Sequence, residues 1–138
     1  MFNIIQADLS NPEHAQAYLA LMSHYALDPM GGGEDISQFA KDNLVEAILK
    51  RNDIYCVLIF KDKQPAALLT AIEGFSTFAC KPLFNIHDVV VHKDFRGNGL
   101  THLLFSKIEE IATEQDCCKI TLEVLEGNDI AVNAYTKL

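Results

Sequence analysis

The chain has 138 residues, 49% hydrophobic and 22% charged, with a formal charge of -8 and a pI near 4.9, which is enough apolar material for one core and too little length for two. The negative balance excludes a protein that works by gripping a nucleic-acid backbone, which needs clustered Lys and Arg, and suits a cationic or neutral substrate. No run approaches the roughly 18 apolar residues of a membrane span, and the N-terminus lacks the basic-then-apolar order of a signal peptide, so the expectation is a cytosolic protein without membrane or nucleic-acid partners.

In chain order, Phe2 to Ala7 reads as a first strand. Asn11-Pro12 is a helix start, a capping side chain before a proline at the first helical position. Ala15, Leu19, Met22 and Ala26 then recur at helical spacing up to Asp28-Pro29. The glycine-rich stretch from Asp28 to Asp35 is a loop, and a second helix follows with Leu44, Val45, Ile48 and Leu49 on one face. Ile54 to Phe60 and Ala66 to Ile72 flank Lys61-Asp62-Lys63-Gln64-Pro65 and read as antiparallel strands joined by a turn. Phe84 to Val91 is a fourth strand. A helix carrying Leu100, Leu103, Leu104, Ile108, Ile111 and Ala112 along one stripe comes next, then a strand from Lys119 to Val124. Cys56, Cys80, Cys117 and Cys118 lack C-x-x-C spacing, so reduced thiols and no metal are expected.

Between the fourth strand and its helix lies His92-Lys93-Asp94-Phe95-Arg96-Gly97-Asn98-Gly99-Leu100-Thr101. Glycines on either side of Asn98 let successive backbone N–H groups turn outward, and the next helix adds its unpaired N–H groups and the positive end of its dipole. This is a cradle for a phosphate. It is not a nucleotide-triphosphate loop, because no Lys precedes a Ser or Thr there. It is not a dinucleotide fingerprint either, because His102 stands where the third glycine belongs.

The remaining pattern, Arg96-x-x-Gly99-x-Thr101, resembles the pyrophosphate motif of the GNAT superfamily of acyl-CoA N-acyltransferases: Arg or Gln, two residues, Gly, one residue, Gly or Ala. Arg96 and Gly99 match and Thr101 departs. Further on, Asn128, Ala131 and Tyr135 have the spacing Asn-x-x-Ala-x-x-x-Tyr of the family's next motif, so the likeness covers the chain from Phe84 onward. It implies an α/β (α+β) domain over residues 1–138, a mixed, mostly antiparallel sheet with helices on both faces in the order β-α-α-β-β-β-α-β-α. The family's Tyr-bearing helix usually runs into Gly-Phe and two more strands. Here the sequence stops at Leu138, so the expectation is a C-terminally truncated domain whose last strand, with a bare edge, could pair with a second copy.

The resemblance also implies a function, transfer of the acetyl group of acetyl-CoA to a primary amine of a small molecule or peptide, with no metal. The alternative is a catalytically silent acyl-CoA-binding or interaction module. Arg96, Gly97, Asn98, Gly99, Leu100 and Thr101 would hold the pyrophosphate, and Val89 and Val91 would offer backbone groups to the pantetheine arm. Asn128 is either a further pantetheine contact or a helix cap. Tyr135 is the candidate acid by motif position, or else a core aromatic. His87 stands in Ile86-His87-Asp88 where the family often has Ile-Glu-Asp, so it is the candidate base or else a sheet histidine; Glu73 is the second candidate base. Asp88, on the opposite face from His87, reads as structural.

Overall fold

The computed structural model describes residues 1–29, 32–126 and 129–135, with backbone alone for 123–126 and 129–135. Its elements are β1 (Phe2–Gln6), α1 (Pro12–Leu27), α2 (Gln38–Leu49), β2 (Ile54–Lys61), β3 (Gln64–Ser76), β4 (Lys81–Val91), a 3-10 turn (Lys93–Phe95), α3 (Leu100–Glu114), β5 (Ile120–Glu126) and β6 (Asp129–Tyr135). The strands form one sheet in the order β1-β2-β3-β4-β5-β6. Every neighbouring pair is antiparallel except β4 and β5, which are parallel and joined through α3. No helix of the described residues is long and apolar enough to cross a membrane.

Period-two alternation divides the core. Val57 and Ile59 of β2, Ala67, Leu69 and Ala71 of β3, and Phe84 and Ile86 of β4 pack with Leu100, Leu104, Ile108 and Ile111 of α3. Cys56, Leu58, Leu68 and Val90 face the other way, against Ala17, Tyr18 and Leu21 of α1 and Ile48 of α2. The stripe read from the sequence is therefore the buried face of α3. The two N-terminal helices are capped as their sequences require: Asn11 Oδ1 accepts from Glu13 N at 2.9 Å and Ser37 Oγ from Ala40 N at 3.1 Å.

Two elements differ from the sequence reading. The β3–β4 hairpin continues past Ile72 through Glu73↔Phe84 to Ser76↔Lys81, so both strands are longer than the spans read as Ala66 to Ile72 and Phe84 to Val91. The last element, expected as a helix bearing Tyr135, is instead β6, paired with β5 from Glu126↔Asp129 to Ile120↔Tyr135. The edge of β5 supplies a partner for every backbone group along one side of the segment, and Ile130 and Val132 are β-branched. The dipeptide between the strands, Gly127-Asn128, has hairpin composition. The bare β5 edge expected from the sequence is thereby taken, and with it the basis for self-pairing through β5.

Leu104 lies fully buried at the centre of the α3 face. Leu104→Ala is expected to reduce unfolding free energy by about 2 to 5 kcal/mol in urea titration. A loss under about 1 kcal/mol would mean that α3 does not anchor this face.

Candidate active site at the parting of β4 and β5

The parallel ladder is short. Phe84, Asn85 and Ile86 of β4 pair with Ile120, Thr121 and Leu122, and the ladder ends there. Asn85 Nδ2 donates to Thr121 Oγ1 at 2.9 Å and ties this paired half together. Beyond Ile86 the strands part, and the remainder of β4 presents to the gap the backbone groups that a ladder would have used.

The parting coincides with a β-bulge. Thr70 of β3 pairs with Asp88 while Ala71 pairs with Ile86, which leaves His87 as the extra residue. A bulge bends its strand and increases the twist. It also shifts the alternation: Phe84 and Ile86 face α3 before it, Val90 faces α1 and α2 after it, and Val89 and Val91 turn toward α3. His87 is exposed at the point where the gap opens.

β4 then runs through His92 into the 3-10 turn and the loop. Gly97 and Gly99 have φ of 85° and 72°, a region that costs other residues about 1 kcal/mol or more. A Cβ at either would meet nothing within 4 Å, so conformation and not space requires glycine here. Asn98 Nδ2 donates to the Phe95 carbonyl at 2.8 Å and folds the loop onto the turn. Gly99 is the N-cap of α3 and supplies no side-chain cap, unlike Asn11 and Ser37. The first bond of the helix runs from Leu103 N to Gly99 O, so the earlier N–H groups have no partner within α3. Leu100 is 2% exposed and roots the helix start in the core, while Thr101 is exposed, so its branched side chain is not packed against the loop.

Arg96 lies beside this array. Its Nη2 contacts Asp28 Oδ2 at 3.3 Å, with 58% of the Arg96 side chain exposed. An ion pair that open is worth at most about 1 kcal/mol, too little to keep the guanidinium from an arriving phosphate. Uncapped N–H groups, a helix dipole and a loosely held cation fit a pyrophosphate.

The structure separates the other candidates. Asp88 follows His87 and belongs to a polar string on the α1 side. Thr70, opposite it in the register, exchanges a 2.8 Å hydrogen bond with the Tyr18 hydroxyl. Burial pushes the Asp88 carboxyl up, opposed by His87 and by Thr70. Burial also raises the Tyr18 hydroxyl and pushes the neighbouring Cys56 thiol up to about 12. Glu73 sits in β3, which does not border the gap, and its Oε1 accepts from the Tyr55 hydroxyl at 3.2 Å on the α3 side. Tyr135 ends β6 in register with Ile120, which pairs with Phe84. Asn128 lies outside the described residues. Among the described residues no cluster of three or more His, Cys, Asp or Glu could hold a metal. The Tyr18–Thr70 contact was not found by sequence reasoning; no local pattern links residues so far apart.

The chain matches the Acetyltransferase (GNAT) family over residues 18–138. It belongs to the GNAT family. A 48-residue stretch is 44% identical to an acetyltransferase of Pectobacterium atrosepticum, covering 35% of this chain and 34% of that protein. A stretch of the same length is 40% identical to one of Yersinia enterocolitica, again 35% and 34%. The matched stretch thus spans about a third of these relatives. The fold superposes on a GNAT acetyltransferase of Staphylococcus aureus with a TM-score of 0.75 at 19% identity, over 99% of this chain and 98% of that one. It also superposes on an aminoglycoside acetyltransferase from an uncultured soil sample, with a TM-score of 0.77 at 16% identity over 93% and 80%. These likenesses show the GNAT fold.

Gly99→Ala should cost about 1 kcal/mol of stability through its positive φ alone. Thermal unfolding should show this loss without any change in the core, and an unchanged melting temperature would mean that the loop adopts another backbone path.

Proposed function

We propose that this GNAT chain is an acetyl-CoA-dependent N-acetyltransferase that acetylates a primary amine of a small molecule or peptide by direct attack. The observation that carries the proposal is the adjacency of the uncapped α3 N-terminus, with its two positive-φ glycines, to the unpaired half of β4. The first suits a pyrophosphate, the second an extended chain carrying amides, and acyl-CoA contains the two in that order. In this reading the loop from Arg96 to Thr101 takes the pyrophosphate and the backbone at Val89 and Val91 lines the pantetheine arm. The thioester then lies toward His87. Structural relatives named as acetyltransferases of aminoglycosides and of glucosamine-6-phosphate support an amine acceptor.

An alkylamine with a pKa near 10.4 is uncharged at pH 7 about once in several thousand molecules, a deficit of roughly 4 to 5 kcal/mol that a base must offset. His87, exposed on the bulge, is the proposed base. Glu73, already engaged by Tyr55 on the other side of β3, is the second choice. The free amine attacks the thioester carbonyl, backbone N–H groups freed at the bulge stabilise the oxyanion, and Tyr135 protonates the departing thiolate. Holding amine and thioester together supplies much of the barrier reduction, so no covalent enzyme intermediate is needed.

Acetyl-CoA at 100 times its dissociation constant is expected to stabilise the protein by about 2.7 kcal/mol. Calorimetric titration with no binding at millimolar acetyl-CoA would overturn the proposal, and binding without turnover of any amine in a screen would favour the silent acyl-CoA-binding module.

Kinetics separate the roles. kcat/KM should rise with pH through one ionisation that His87→Ala abolishes. Tyr135→Phe should lower kcat by roughly a hundredfold to ten-thousandfold with acetyl-CoA affinity nearly intact. An unchanged pH profile in His87→Ala would move the base role to Glu73 or to water.

A further inference from the structure

We infer that His24 and His92 form a proton-sensitive clasp that fixes the strand-to-helix loop to α1 and so positions the anion cradle. The clasp stands on geometry alone, and only its effect on acyl-CoA rests on the function proposed above. His24 lies in the last turn of α1, and His92 is the first residue after β4. Their rings stack with centroids 4.2 Å apart and planes 18° from parallel.

Each ring accepts a backbone N–H of the 3-10 turn. Lys93 N donates to His24 Nε2 at 3.2 Å, and Asp94 N donates to His92 Nδ1 at 3.1 Å. A ring nitrogen that accepts carries no proton, so both bonds require neutral imidazoles, His24 protonated on Nδ1 and His92 on Nε2. A proton added to His24 removes the bond from Lys93. One added to His92 removes the bond from Asp94 and redirects that nitrogen to the Asp94 carboxylate, 3.7 Å away. Two cationic rings stacked at this distance would also repel.

The surroundings set the direction. From the loop, Lys93, Asp94 and Arg96 face the pair. From α1 come Asp28 and the C-terminal carbonyls, with Ser23 engaged by Asp35. From the β2–β3 side the uncharged Gln64 and Pro65 line the space beside the pair. Burial above all, then His92, Arg96 and Lys93, hold His24 below the ordinary histidine value, and Asp28 pulls weakly the other way. A group whose pKa is lowered in the clasped state takes up its proton more readily when the loop is released. The clasp is therefore intact above the unperturbed histidine value of about 6.5 and weakens as pH falls below it. The loop keeps its other anchors, the Phe95 ring edge-on to Phe2 at 6.1 Å and the Arg96–Asp28 pair. What is lost is its orientation and not its attachment.

The test uses the whole chain and dephospho-CoA, because the 3′-phosphate of CoA itself titrates near pH 6. Between about pH 7.5 and about pH 5.5, protection factors of the Lys93 and Asp94 amides should fall about tenfold. The dissociation constant of dephospho-CoA should rise on the same scale, as expected for two neutral hydrogen bonds. In the double variant H24Q/H92N, side-chain oxygens can accept the same N–H groups but take no proton, so both ratios should stay level. Wild-type amides equally protected at both pH values, or an equal fall in the double variant, would overturn the clasp. Falling protection with unchanged affinity would overturn its role in positioning the cradle. Dephospho-CoA that binds at neither pH would overturn the acyl-CoA reading, while the amides still decide the clasp.

Discussion

One extra residue in β4 governs the geometry of this molecule. With His87 left out of the β3–β4 register, a strand that would have presented a single phase to each layer presents two. Phe84 and Ile86 join the α3 core, and Val90 joins the α1 and α2 core. The bend that accompanies such a shift falls where the parallel ladder to β5 ends. The open half of β4, the exposed His87 and the polar string from Asp88 through Thr70 to Tyr18 all follow from that one irregularity.

The cradle is held by contacts of very different strength. The Arg96–Asp28 pair is open to water and weak. The Asn98 and histidine hydrogen bonds contribute about 1 kcal/mol each. Against these stands the α3 stripe of Leu100, Leu104, Ile108 and Ile111, each at most 2% exposed, where a single truncation costs several times as much. The core fixes where the helix begins, and the weaker contacts fix only how the loop is aimed. That division leaves the loop adjustable by ligand or by protons while the fold stays unchanged.

Local signals carried the sequence reading far. The stripe of α3, the cap of α1 and the glycines of the loop are each written within one or two turns of chain, and each is found where the spacing puts it. The family likeness read from Arg96 and Gly99 agrees with the family match. The misreadings are of pairing. The spacing of Asn128, Ala131 and Tyr135 suits a helix, but residues 129–135 also have β-branched members and a strand edge beside them, and the edge decides. Glu73 lies in the strand next to the one that carries His87, and its carboxylate accepts from the Tyr55 hydroxyl on the α3 side. Contacts such as His24 with His92, or Tyr18 with Thr70, depend on how α1 lies across the sheet, and no spacing rule within one segment reports that.

The rooting of Leu100 has a further consequence, for how this chain can change length. The stretch from His92 to Gly99 begins beside buried Val90 and ends at buried Leu100, so both of its ends are immobilised by packing. An inserted or deleted residue there could not be absorbed at a free terminus. It would either rotate the α3 stripe by about 100° off the sheet or shift the positive-φ positions away from Gly97 and Gly99. The tip of the β3–β4 hairpin at residues 77–80 is exposed and lies between paired strand ends, with no such restriction. Length variation among chains of this architecture should therefore collect at the hairpin and be purged from the cradle.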